Sequence, residues 1–396
     1  MSLRNLGEVS LTSRRALVRV DFNVPMADGK VADDTRLRAA LPTIGHLRDR
    51  GARVILLSHF GRPRGGRDTS MSLRPVVEPL SKLLGAPVSF AEDCIGEAAA
   101  AAVARLGDGD MLLLENLRFH PGEEANDPQF ARALAANGDL YVNDAFSAAH
   151  RAHASTEGLA HLLPSYAGEA MRAELEALHA ALGQPRRPVL GVVGGAKVST
   201  KLELLGNLVG KLDQLAIGGG MANTFLAAQG WNVGASFCEH DQGEAARKVI
   251  DEAQACGCEL LLPIDVVTAE KLEAGVPSRV RALGEVRASE RILDAGPASV
   301  ARLEAAMDAA ATLIWNGPLG VFETPPFDRA TVAAARHAAE RAKSGKLIAV
   351  AGGGDTVAAL KHAGVAGDFT YVSTAGGAFL EWLEGKTLPG VAALEA

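Results

Sequence analysis

Aromatic residues are scarce in this chain, with 3 tryptophans, 3 tyrosines and 12 phenylalanines among 396 residues. The interior must therefore be filled by aliphatic side chains and alanine. The 48% hydrophobic content supplies them and fits a compact α/β chain rather than a disordered one. Cysteine is also sparse: Cys94, Cys238, Cys256 and Cys258 are scattered and give no disulfide framework. Cys256 and Cys258 could be half of a metal site or two ordinary cysteines, since no second pair accompanies them. Residues 1–10 carry no apolar leader core, which leads us to expect a cytoplasmic protein. The one long uncharged stretch, Gln214 to Cys238, is broken by Gly218-Gly219-Gly220 and by amides, so it reads as a buried strand, a turn and a buried helix rather than a membrane span.

Basic charge is not in excess either, for the formal net charge is −7. That balance argues against general binding to nucleic acid or a membrane surface, and any cluster of Arg and His needs its own explanation. A chain of 396 residues exceeds one typical core, so two domains are expected. No repeat of solenoid length is present.

What the sequence does contain is alternation. Short apolar runs at residues 16–20, 54–58, 111–114, 140–143, 189–193, 214–217, 259–262, 312–315, 347–351 and 371–373 alternate with alanine-rich helical stretches. This is α/β patterning, with strands of a parallel sheet buried on both faces. A helical face formed by Met171, Leu175, Leu178 and Leu182, stopped by Gly183 and Pro185, marks a connector between residues 164 and 188. Ligands of open parallel sheets bind at the carboxyl ends of the strands, so the turns there are where chemistry is sought.

In the first half those turns deliver Asp21 and Asn23, then Arg36, His59 with Arg62, Arg118, and His150, Arg151 and His153. Arginine forks bind phosphate and carboxylate in pairs of hydrogen bonds, which suits a small polyanion. Surface salt bridges to Asp33, Asp34, Glu115 or Asp144 are the plainer alternative. His150 and His153 could instead ligate a metal, although no third ligand is evident.

In the second half the turns are glycine-rich. Gly194-Gly195-Ala196-Lys197 leads to Lys201, and a four-residue spacing on a helix would put both lysines on one face. Asn316-Gly317-Pro318 precedes Glu323, and Gly352-Gly353-Gly354-Asp355-Thr356 reads as strand, turn and helix start. Such a turn offers bare N–H groups to phosphate, and Asp355 beside a phosphate calls for a cation such as Mg²⁺. An ordinary N-capped turn is equally compatible with the residues. Walker A spacing is absent around Lys197, and the third glycine of the dinucleotide fingerprint is missing after Gly218 and after Gly352.

Taken together, the blocks Arg19–Pro25, Ser58–Pro63, Glu115–Phe119, Asn143–Phe146, Ala149–Ser155, Gly194–Lys201, Trp315–Glu323, Gly352–Thr356 and Ser373–Ala378 closely resemble those of the phosphoglycerate kinase family, in order along nearly the whole chain. The resemblance implies two Rossmann-like, doubly wound parallel-sheet lobes with a cleft between them: residues 1–168 for phosphoglycerate, a connector over 169–187, residues 188–375 for nucleotide, and a tail over 376–396 returning to the first lobe. It implies reversible phosphoryl transfer from 1,3-bisphosphoglycerate to MgADP, giving 3-phosphoglycerate and MgATP, in a monomer that closes about a hinge. Asp21, Asn23, Arg36, His59, Arg62, Arg118 and Arg151 would hold the glycerate. Gly195, Lys197, Lys201, Gly219, Gly220, Asn316, Pro318, Glu323, Gly353, Gly354, Asp355 and Thr356 would hold the nucleotide, with Asp355 on Mg²⁺. Arg36, Lys197, Lys201, Gly376 and Gly377 would lie at the transferring group.

The sequence departs from the family's pattern in two places. Ala167-Gly168-Glu169-Ala170-Met171 lacks larger apolar residues after its glycine, and Asp294-Ala295-Gly296-Pro297-Ala298 lacks an isoleucine and a lysine. The second departure is expected to fall outside the phosphate-contacting blocks. A nicotinamide-dependent dehydrogenase and an inactive binding protein of the same fold are the rival readings.

Overall fold

The computed structural model describes residues 3–4, 6–64 and 66–395. Met1, Ser2, Asn5 and Gly65 of the expected first lobe, and Ala396 of the expected tail, lie outside the described residues. The chain divides into two compact units, Met1–Leu175 with Thr387–Ala396, and Glu176–Lys386.

The first unit is built on a six-stranded parallel sheet in the order Val88–Ala91, Met111–Leu114, Arg53–Leu57, Arg15–Arg19, Leu140–Asn143, Ser165–Ala167. Its central strands are apolar on both faces because helices cover both sides, and Ala16, Leu17, Val18, Val54, Leu56 and Leu113 are completely buried. The chain enters at Arg15–Arg19, winds outward to one side and then adds Leu140–Asn143 on the other. That reversal opens a crevice at the carboxyl end of Arg15–Arg19, where Asp21 and Asn23 follow.

The second unit repeats the plan. Its parallel sheet runs Glu259–Leu261, Gln214–Ile217, Val189–Val193, Thr312–Asn316, Ile348–Gly352, Tyr371–Ser373, and the reversal falls at Val189–Val193. Alanine fills much of this core: Ala334, Ala335 and Ala338 of the helix Arg329–Lys343 are fully buried beside Trp315. The uncharged stretch forms the strand Gln214–Ile217 and the helix Gly219–Ala228.

A three-stranded antiparallel sheet, Arg279–Ala282, Asp265–Ala269, Arg291–Ala295, is attached to this unit. The sequence pattern does not reveal it, because Arg279, Val280 and Ala282 are exposed and the strands lack a continuous apolar run. The edge strands Val88–Ala91 and Ser165–Ala167 escape notice for a related reason: they are 4 and 3 residues long and partly polar.

The connector appears as the helix Glu169–Leu178, extended by one wide π turn over His179–Gly183. The tail differs from the expectation. Residues 377–386 pack in the second unit, where Asn207 Nδ2 donates to the Leu383 carbonyl and Lys386 pairs with Glu203 at 2.6 Å. Only the chain from Thr387 belongs to the first unit, held by Gly390 N–H on the Ala149 carbonyl at 2.9 Å and by Asn143 Nδ2 on the Gly390 carbonyl at 3.2 Å.

Candidate anion and nucleotide sites

The basic residues of the first unit are tied together at the strand ends. Arg36 pairs with Asp21 Oδ2 at 2.9 Å and donates to the Asn23 carbonyl at 2.8 Å. The Asn23 side chain in turn accepts Gly61 N–H at 2.9 Å, and Arg118 donates to the Gly61 carbonyl at 2.8 Å. Asp21, Asn23, Arg36, Gly61 and Arg118 thus form one connected set. Arg62 and Arg151 are exposed, with Arg151 donating to His150 at 3.3 Å.

The acids foreseen as surface partners of these arginines have other tasks. Glu115 is buried and accepts from Ser72 and from the Leu73 N–H. Asp144 is buried and accepts the N–H groups of Ala170 and Met171 at the start of the helix Glu169–Leu178.

Beneath the set lies an arginine that the sequence did not single out. Arg19 is only 1% exposed; it donates to Ser155 Oγ at 2.8 Å and to His59 Nδ1 at 2.9 Å. Ser155 Oγ donates onward to the buried Glu123 carboxylate at 2.6 Å. Burial, then the charges of Arg19, Arg118 and Arg36, push the His59 imidazolium well below its usual range. Burial and the neighbouring arginines hold His153 down to about 4. Neither imidazole is charged near neutral pH, so the positive field here comes from the guanidinium groups.

In the second unit three strand-end turns meet back to back. A Cβ on Gly194 would lie 1.9 Å from the Pro318 carbonyl oxygen, and one on Gly317 would lie 2.1 Å from that of Gly194. Only glycine permits this approach, which brings bare backbone to one rim. Lys201 Nζ sits at the junction, donating to the Gly194 carbonyl and to Asn316 Oδ1, both at 2.6 Å. Burial lowers its ammonium to about 8. Asn316 Nδ2 also donates to the Gly352 carbonyl at 2.8 Å, and Thr356 Oγ1 accepts Gly317 N–H at 2.7 Å. These two residues shape the turns through bonds already made.

The two lysines do not share a helical face. The helix starts at Leu202, and Lys197 lies exposed in an irregular loop. Ser199 bonds the Glu239 carboxylate through both N–H and hydroxyl, and Thr200 Oγ1 bonds the Lys197 carbonyl, so local side-chain bonds delay the helix.

A cavity of about 330 Å³ opens beside these turns, and Gly195, Gly219, Gly220, Pro318, Glu323 and Asp355 line it. Its apolar wall comes from Phe237, Leu272, Ile292 and Leu293, which no motif flagged because they lie in short segments without a continuous apolar run. Asp294 and Ala295 line it as well, so this departure from the family pattern lies at the cavity. Asp355 is exposed in the first turn of the helix Gly354–His362, after Gly353 at φ 95°. Gly376 caps the helix Gly377–Leu383 with φ 57°.

The fold defines a two-unit α/β protein with a connected set of basic side chains at the strand ends of one unit and a glycine-walled cavity at those of the other. The sequence matches the profile of the family described as phosphoglycerate kinase over residues 6–386. It is 69% identical over 396 residues to the phosphoglycerate kinase of Caulobacter vibrioides strain NA1000, and 61% identical over 395 residues to that of Brucella abortus, covering 100% of each chain in both cases. The structure superimposes on the phosphoglycerate kinase of Coxiella burnetii with a TM-score of 0.93 at 41% identity, covering 99% of this chain and 98% of that one. Against the enzyme from Pyrococcus horikoshii the TM-score is 0.82 at 30% identity, covering 100% and 98%. The chain belongs to the phosphoglycerate kinase family.

Proposed function

We infer that the protein is a phosphotransferase acting on a carboxyl group, moving a phosphoryl group reversibly between 1,3-bisphosphoglycerate and ADP to give 3-phosphoglycerate and ATP, as a step of glycolysis. The full-length match to relatives that carry this name is the observation that supports the reading most. The site chemistry agrees with it. Phosphoryl transfer needs in-line positioning and positive charge on the equatorial oxygens rather than a covalent nucleophile.

In this reading Arg36, Arg62, Arg118 and Arg151 meet the phosphate and carboxylate of the glycerate, while Asp21, Asn23 and the neutral His59 bond its polar groups. On the second unit, Gly195, Gly219, Gly220 and Pro318 pack against the base, and Glu323 accepts from ribose hydroxyls. Lys197, Lys201 and the backbone of Gly353 and Gly354 face the phosphates, with Asn316 and Thr356 holding the turns in shape. Gly376 and Gly377 offer N–H groups to the phosphoryl group in transit, with Arg36 and Lys201 supplying charge.

Asp355 fits a magnesium ion. It is an exposed carboxylate on the rim of a cavity, and Mg²⁺ favours one such oxygen together with nucleotide phosphates and water. When bound, the ion supplies charge neutralisation across the nucleotide phosphates. Because each substrate is assigned to a different unit, the reading also calls for a closing motion that excludes water. We take the protein to work as a cytoplasmic monomer; among the described residues no helix is long and apolar enough to cross a membrane.

Calorimetry tests the assignment site by site. Arg36→Ala should abolish 3-phosphoglycerate binding and leave ADP binding intact, whereas Asp355→Ala should weaken MgADP alone. Loss of both ligands in either variant, or of neither, contradicts the division.

A further inference from the structure

In the first unit, among residues given no part in either site, three chemically distinct ligand atoms converge. Asp93 and Cys94 follow the strand Val88–Ala91, and His120 follows the strand Met111–Leu114 and the turn Leu117–Phe119. A carboxylate oxygen of Asp93, the thiol sulfur of Cys94 and a ring nitrogen of His120 all lie within 4.8 Å of one another. His120 Nε2 is 2.6 Å from Asp93 Oδ1, and the Cys94 backbone N–H donates to the same oxygen at 2.7 Å. The His120 ring is steadied by Phe130, with centroids 5.2 Å apart.

We propose that Asp93, Cys94 and His120 form a site for one thiophilic divalent cation, with the donor set of Zn²⁺. One thiolate, one imidazole and one carboxylate are the mixed soft and borderline ligands that zinc takes, and three protein ligands leave a fourth position for water. Cys94 is buried, while the side chains of His120 and Asp93 are 29% and 38% exposed, so an ion enters from solvent past the two exposed ligands and meets a buried thiol. Bonds of about 2.0–2.3 Å in a tetrahedral site place ligand atoms roughly 3.2–3.7 Å apart. The hydrogen bond between His120 and Asp93 must therefore open by about 0.6 Å or more, which two partly exposed side chains can do. Binding exchanges the thiol proton, released to solvent, for a sulfur–metal bond. The bound ion would tie together the two segments that follow Val88–Ala91 and Met111–Leu114.

The test is titration of the full chain with Cd²⁺ and Co²⁺, following the thiolate-to-metal charge-transfer absorption. One equivalent should bind, with affinity falling about tenfold or more in Cys94→Ser and in His120→Asn, and unchanged in Cys238→Ser and in the double variant Cys256→Ser/Cys258→Ser. Circular dichroism melts identify any variant that has lost its fold, and His120→Asn at a part-exposed loop position keeps the test open if Cys94→Ser does not fold. Absence of the band in the parent overturns the proposal. So does a band that survives in folded His120→Asn, or one that disappears with Cys238 or with the Cys256/Cys258 pair.

Discussion

Arg19 donates to Nδ1 of His59 at 2.9 Å, and this contact decides which ring nitrogen carries the proton. A guanidinium has no acceptor, so Nδ1 must present its lone pair and Nε2 must bear the hydrogen. Nitrogen-15 chemical shifts of His59 should show the Nε2–H tautomer at neutral pH, with titration shifted well below the usual imidazole range, since burial and three arginines depress its protonation. Arg19→Met should release the tautomer and raise the His59 protonation only in part, since burial is the larger cause.

Acidification gives a second prediction, with signs that oppose one another. His59 and His153 have folded pKa values below the unfolded one, the latter at about 4. Their contribution is present above pH 6.5 and lost as pH falls, because the unfolded chain takes up the protons. Asp144 and Asp294 are raised by burial to about 7 and about 8, so they favour the fold at low pH and cost stability as pH rises through that window. Asp144→Asn keeps an oxygen for the Ala170 and Met171 N–H groups. Its advantage over the parent should grow from pH 4 to 7, to a few kcal/mol, and then level. Urea midpoints at four pH values measure it; a constant difference would contradict the assignment.

The glycine contacts predict two opposite outcomes. Gly194→Ala puts a methyl into the Pro318 carbonyl and should cost roughly 2–4 kcal/mol as well as nucleotide affinity. Gly206→Ala, exposed inside the helix Leu202–Val209 with nothing within 4 Å of the added carbon, should stabilise by about 0.5–1 kcal/mol. Thermal melts of the pair distinguish close approach from a general intolerance of alanine.

Lys201 and Asn316 should behave as one unit. Nζ donates to Asn316 Oδ1 at 2.6 Å while the same amide holds Gly352, so removing either partner disturbs both turns. In a cycle of Lys201→Ala, Asn316→Ala and the double variant, the losses in kcat/KM should fall short of additivity by about 1–3 kcal/mol. Additive losses would mean that the two residues act separately.

The strands legible in the sequence are those buried on both faces, such as Leu140–Asn143 and Val189–Val193, where an unbroken apolar run is required. Ser165–Ala167 and the sheet around Asp265–Ala269 were not legible because exposed or short strands follow no such rule. In the candidate sites, Arg36, His59, Arg118 and Asp355 could be read from strand-end motifs. Arg19 and Glu123 could not, since their pairing through Ser155 joins residues far apart in the chain. The helical spacing of Lys197 and Lys201 misled, because the bonds of Ser199 to Glu239 cannot be seen from the three intervening residues.

The most direct test is a coupled assay with MgATP and 3-phosphoglycerate as the only substrates, run on the parent and on Asp355→Ala. The account predicts ADP release in the parent that depends on both substrates, and turnover lower by orders of magnitude in the variant. A folded parent that binds both substrates yet releases no ADP would contradict it.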